Sequence, residues 1–129
     1  MRLNNAGYAC VLVTNQSVVG RGLITEDELG LIHEEMERQL AETGAMLDAI
    51  YFCPVVGKSG DRMEIEHRDR KPGPGMLLRA ATEHNLDVSR SWMVGDMMSD
   101  ILAGQLLGLS VFLIARWVQE AVTVGTAVE

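Results

Sequence analysis

Four short apolar runs, each stopping at a polar turn and followed by a helical pattern, set the architecture open to this chain. They are Ala9–Val13, Leu47–Cys53, Ser91–Val94 and Ser110–Ile114. Runs of this length, rich in β-branched residues and bounded by Gly, Pro or Asn, read as strands buried on both faces. Between them the period changes to that of a helix. Thr25-Glu26-Asp27-Glu28 is a capping box, and Leu29, Ile32, Met36 and Leu40 then recur on one face until Thr43-Gly44. A second helix covers about Met76–His84 with Met76, Leu77, Ala80 and Ala81 inward, and a third covers Ser99–Leu107, ended by Gly108. Strands alternating with helices through short connections imply an α/β fold, a parallel sheet covered by helices on both faces.

At 129 residues the chain is expected to be one domain, 1–129. A net charge of −7 leaves no basic stripe to neutralise nucleic-acid phosphates, and the local basic cluster Arg62–Lys71 alternates with Asp61, Glu64, Glu66 and Asp69. Cys10 and Cys53 lie in apolar runs and read as buried, reduced thiols, the usage of a cytoplasmic protein. No run approaches the roughly 18 apolar residues of a membrane span, so no membrane partner is expected. Met1–Asn5 reads as the last turn of a helix closed by Gly7. A βα unit puts a strand before such a helix, and that strand is expected upstream of Met1. The pattern weakens after Arg116, and Trp117–Val124 fits strand and helix equally.

In parallel α/β sheets ligands bind outside the carboxyl ends of the strands. Thr14 and Asp96 fall at such ends, and Lys71 just precedes a helix; the three are expected to converge on one edge of the sheet. Each has a plainer reading. Thr14 caps a turn, or its hydroxyl and the following N–H groups grip phosphate oxygens. Lys71 is a surface lysine before a Pro-Gly turn, or a positive charge offsetting phosphate. Asp96 is the N-cap of the next helix, or a ligand for Mg²⁺, a hard cation that takes oxygen donors and keeps several waters. Asp100, one turn later, either supports that shell or is merely solvated.

The series Val13-Thr14-Asn15-Gln16-Ser17, Arg70-Lys71-Pro72-x-Pro74-Gly75-Met76 and Met93-Val94-Gly95-Asp96-x-x-x-Asp100-Ile101-x-Ala103-Gly104 resembles the haloacid dehalogenase (HAD) superfamily of phosphatases. The similarity is strongest to its histidinol-phosphatase and heptose-bisphosphate-phosphatase branch, and it extends to about Ile114. The resemblance implies a three-layer Rossmann-like fold of the HAD type, capless, with the first, central strand missing. It also implies a mechanism. An Asp at the end of that first strand attacks phosphorus, and an Asp two residues later serves as acid and base. Mg²⁺ is held in part by the position of Asp96. Thr14 matches the phosphate-gripping hydroxyl and Lys71 the charge-compensating lysine, while Asn15 and Arg70 match substrate contacts.

Two departures shape the expectation. No Asp-x-Asp precedes Thr14, so the chain as written is expected to be inactive. Where the branch often carries a Cys-x-His…Cys-x-Cys zinc loop, this chain has Cys53-Pro54-Val55 and His67-Arg68-Asp69. With one ligand replaced by Val55, the remnant Cys53, His67 and Asp69 is not expected to hold zinc. His67 is read as a solvent-facing loop residue, His33 and His84 as ordinary helix-surface residues. The functional expectation is a Mg²⁺-dependent phosphatase of a small phosphorylated metabolite. The alternative is a non-catalytic remnant, or a module completed by another chain through its exposed strand edges.

Overall fold

The computed structural model describes residues 1–114; the undecided segment after Arg116 lies outside them. They fall into two compact units, divided between Val56 and Gly57.

The first unit opens with one helical turn, α1 (Arg2–Asn5), and runs through β1 (Val11–Asn15), the short α2 (Ser17–Gly20), α3 (Glu26–Glu42) and β2 (Ala49–Cys53). The chain reverses after α1 at Gly7, whose φ of 83° lies where a side chain is disfavoured. Strands β1 and β2 are parallel, with Val13 opposite Tyr51 and Thr14 opposite Phe52. Asn4 ties α1 to the unit: its amide donates to the Met46 carbonyl at 2.8 Å, and its Oδ1 accepts from Met46 N at 3.2 Å. Gly20 closes α2 against the exit of β2, where a Cβ would overlap the Pro54 carbonyl oxygen.

Helix α3 starts as its sequence dictates. The Thr25 hydroxyl accepts from Glu28 N at 3.1 Å while Glu28 Oε2 accepts from Thr25 N at 2.7 Å, a reciprocal cap on two otherwise orphaned donors. Its inner face needs correction. Leu29 is buried, and Met36 and Leu40 are half-buried, but Ile32 stands 55% exposed. His33 takes the inward place instead, its ring 6.2 Å from that of Phe52, so it is not a helix-surface residue. Both readings fit a period near 3.6; the stripe runs through 29, 33, 36 and 40 rather than 29, 32, 36 and 40.

The second unit carries a long loop and then α4 (Gly75–Glu83), β3 (Trp92–Gly95), α5 (Met98–Leu106) and β4 (Ser110–Leu113). Strands β3 and β4 are parallel, with Met93 opposite Val111 and Val94 opposite Phe112. Alternation along the strands gives this pair two unlike faces. Met93 is buried, and a Cβ on Gly104 of α5 would crowd Met93 Cβ at 2.7 Å and Val111 at 2.9 Å. Helix and sheet therefore touch through a glycine. Trp92, Val94, Phe112 and Ile114 on the opposite parity are all exposed.

Mixed helices and parallel strands make this the α/β, Rossmann-like class. Where one sheet was expected, the described residues form two parallel pairs, one per unit. Strand boundaries also shift: β1 extends through Thr14 and Asn15, which the polar composition had assigned to a turn.

Two outcomes follow from α3. His33 Nε2 is buried without a hydrogen-bond partner among the described residues, and such a group costs about 1–3 kcal/mol. Replacing His33 by Leu should raise stability by roughly 1 kcal/mol, read from the urea midpoint. On the outer face Arg38 bonds Glu35 at 2.7 Å and Glu42 at 2.6 Å. The Arg38 hydrogen bonds, helped by Gln39, lower the Glu35 carboxyl to about 2. That depressed value is a stabilising contribution present above the ordinary carboxylate range and lost as pH falls towards 2. A side-chain NMR titration of Glu35 should find its midpoint near 2.

Candidate active site

The buried polar centre of the second unit is an ion pair. Lys71 Nζ donates to Asp100 Oδ1, and the two side chains are 12% and 6% exposed. Asp100 Oδ2 accepts from Met97 N at 3.1 Å, so both carboxylate oxygens are occupied. Burying one charge alone is costly, and here each charge answers the other. The chain places them deliberately. Lys71 leads a turn in which Gly73 N donates to the Arg70 carbonyl and Gly75 N to the Arg68 carbonyl, both at 2.7 Å, directly before α4. Pro72, Gly73 and Gly75 are buried, and loop carbonyls fill the space where a Gly73 side chain would stand. Asp100 projects back from the first turn of α5 towards Gly95, where a Cβ would overlap the Asp100 side chain. Gly95 at the end of β3 is thus a space requirement of the ion pair.

Asp96 follows Gly95 at the mouth of β3 and is exposed, with no hydrogen bond or ion pair to another described residue. It is not the N-cap of α5; that position is Met97. The plainer capping reading is therefore corrected, and the carboxylate remains available. Asp100 is not solvated. It is the lysine's counter-ion.

In the first unit Thr14 and Asn15 end β1, the strand-end position expected for Thr14. The Thr14 hydroxyl accepts from Gln16 Nε2 at 3.1 Å and donates to the Asn15 carbonyl at 3.4 Å. Gln16 N is held by the Cys53 carbonyl at 2.8 Å, which extends the ladder one step past the strand. Gln16 is a residue that motif reading passed over. Its signal is the i, i+2 spacing that puts it on the same side as Thr14.

The remaining candidates separate by environment. Arg70 is half-buried and Asp69 partly so; Asp69 lies 3.7 Å from the guanidinium groups of both Arg68 and Arg79. His67 is exposed, and its Nδ1 accepts from Asp69 N at 3.1 Å. Cys53 is a buried free thiol ending β2, and Cys10 is half-buried.

Among the described residues no three His, Cys, Asp or Glu are grouped to hold a metal ion. Asp96 alone suits Mg²⁺ as one oxygen donor, because that cation keeps most of its waters and takes phosphate oxygens as ligands. These residues do not build a metal centre by themselves.

With this geometry in place, comparison with known proteins assigns the class. Residues 69–125 match the family model for HAD-hydrolase-like proteins. By this match, and by the relatives named next, the chain is HAD-like. It is similar to the D-glycero-alpha-D-manno-heptose-1,7-bisphosphate 7-phosphatase of Burkholderia mallei, with 41% identity over 84% of this chain and 58% of the relative. It is also similar to the D-glycero-beta-D-manno-heptose-1,7-bisphosphate 7-phosphatase of Pasteurella multocida, with 44% identity over 81% of this chain and 56% of the relative. The chain thus spans a little over half the length of these curated relatives. A solved D,D-heptose 1,7-bisphosphate phosphatase from B. bronchiseptica, complexed with magnesium and phosphate, superposes with a TM-score of 0.75 at 37% identity, over 87% of this chain and 59% of that one. A putative HAD-like phosphatase from Mesorhizobium loti gives 0.77 at 35% identity, over 85% and 54%. Among the described residues no helix is long and apolar enough to cross a membrane.

Replacing Lys71 by Met strands the Asp100 carboxylate in a buried site. The expected loss is about 3–5 kcal/mol, read by urea denaturation. Asp100→Asn together with Lys71→Met should recover part of it.

Proposed function

We propose that this chain carries the phosphate-handling half of a Mg²⁺-dependent phosphatase for a small phosphorylated sugar of the heptose bisphosphate kind. Histidinol phosphate is the other candidate substrate. The observation that carries the reading is the buried Lys71–Asp100 pair with the exposed Asp96 at the mouth of the adjoining strand. In this reading Thr14 grips phosphate oxygens through its hydroxyl, with Gln16 fixing its rotamer, and Lys71 offsets phosphate charge while Asp100 keeps it in place. Asp96 holds the metal. Asn15 and Arg70 contact the rest of the substrate. Bound Mg²⁺ would supply charge neutralisation at the phosphoryl oxygens. The site would lie in the cytoplasm, where such metabolites are found.

The covalent step needs a carboxylate nucleophile, and no Asp precedes Thr14 in these 129 residues. A polypeptide of this sequence alone therefore binds and does not turn over. Pure material should release no phosphate from heptose 1,7-bisphosphate or histidinol phosphate in a malachite-green assay with Mg²⁺. Calorimetry should still detect Mg²⁺ binding in the presence of inorganic phosphate, at least ten-fold weaker in Asp96→Asn. Mg²⁺-dependent phosphate release that disappears in Asp96→Asn would defeat the proposal of inactivity, and Mg²⁺ binding indifferent to that substitution would defeat the metal assignment.

One observation favours a second reading, a module completed by another chain. Each parallel pair has only two strands among the described residues, so each leaves strand edges without a partner strand there. Strand addition would satisfy the open edges. Light scattering decides it: concentration-dependent association supports the assembly reading, and a persistent monomer opposes it.

A further inference from the structure

The loop between Gly57 and Arg70 reads from the sequence as solvated and aperiodic, yet one carboxylate closes it. Glu66 Oε1 accepts from Lys58 N at 2.8 Å and from Ser59 N at 2.7 Å. The other oxygen lies over Gly57 together with the guanidinium of Arg70. A Cβ built on Gly57 would meet Arg70 Nη2 at 2.8 Å, Arg70 Nε at 2.9 Å and Glu66 Oε2 at 2.9 Å. Three parts of the loop thus meet at one point: the bare backbone of Gly57, the acid four residues before Arg70, and the Arg70 side chain. The carboxyl is held below its ordinary range, first by the Ser59 and Lys58 backbone hydrogen bonds and then by the charges of Arg70 and Lys58.

We infer that Glu66 is a positioning residue for Arg70, fixing the guanidinium over Gly57 so that it presents its donors to the anionic part of the substrate. This rests on the proposed role of Arg70 as a substrate contact. A planar guanidinium recognises phosphate through a fixed fork of donors, so its orientation sets affinity. The bare Gly57 backbone leaves room for the guanidinium, and the Glu66 carboxylate places its charge over the same glycine. Glu66 itself acts only through Arg70.

Two substitutions perturb the clamp differently. Glu66→Gln keeps an oxygen to accept from Lys58 N and Ser59 N and removes the charge beside Arg70. Gly57→Ala keeps the charge and inserts a methyl where the guanidinium lies, and the flexible ends of Arg70 and Glu66 must give way. The test uses the full chain, with calorimetric binding of heptose 1,7-bisphosphate and the ¹⁵N-labelled Arg70 Nε–H resonance, assigned by its loss in Arg70→Lys. Each variant should weaken binding about ten-fold and move the Nε–H signal, with the thermal midpoint within a degree or two of wild type. The double variant Glu66→Gln/Arg70→Ala should bind no more weakly than Arg70→Ala, because a residue acting through another adds nothing once that other is gone.

If Arg70→Ala weakens binding while Glu66→Gln and Gly57→Ala change neither affinity nor the Nε–H signal, the inference fails and the substrate role of Arg70 survives. Additive losses in the double variant also overturn it, since Glu66 would then act by another route. If Arg70→Ala leaves binding intact, the role of Arg70 falls and the inference falls with it.

Discussion

The second unit depends on the bond between Lys71 and Asp100. Two charges at this depth are tolerable only together, and the backbone has been shaped to bring them together. Gly95 leaves room for the Asp100 carboxylate, Met97 N occupies its second oxygen, and the turn around buried Gly73 delivers Lys71 from the other side. Asp96 gains its character by contrast. Four residues from a buried acid that holds a donor on each oxygen, it is exposed and accepts from no other described residue. A short segment thus holds two carboxylates in opposite settings, one buried against a cation of the protein and one facing solvent.

The first unit uses neutral hydrogen bonds for a comparable purpose. Thr14 sits at a strand end where register is enforced by pairing with Phe52, and the Gln16 amide takes up one lone pair of its hydroxyl. The one hydroxyl proton points to the Asn15 carbonyl at 3.4 Å, so the Thr14 rotamer is held through both its donor and its acceptor side.

Much of this was legible in the residues, for physical reasons that differ by element. The start of α3 was readable because a capping box is a local device: Thr25 and Glu28 satisfy each other's backbone whatever the rest of the chain does. The four strands were found because apolar runs of that length have few alternatives, although β1 ran further than its composition suggested. What failed was tertiary. Nothing local distinguishes Ile32 from His33 as the inward residue, since neighbouring positions on a helix differ by packing alone. For Asp100 the solvated reading fails, because the residue is buried against a partner 29 residues away that no local pattern announces. Glu66 was lost for a similar reason: a carboxylate in a charged, aperiodic stretch looks solvated until its backbone donors are seen.

The closure of that stretch has a consequence for how the protein can vary in length. Because Glu66 reaches back to Lys58 and Ser59, and Arg70 to Gly57, the chain from 60 to 65 is a loop within a loop with a sealed neck. Residues inserted there lengthen an exposed excursion at a closure cost that grows only slowly with loop size. The neck, and with it Lys71 and the ion pair that follows, need not move. Length is free above the neck and fixed below it, so insertions and deletions among homologous sequences should collect between 60 and 65 and be absent from 66 to 75.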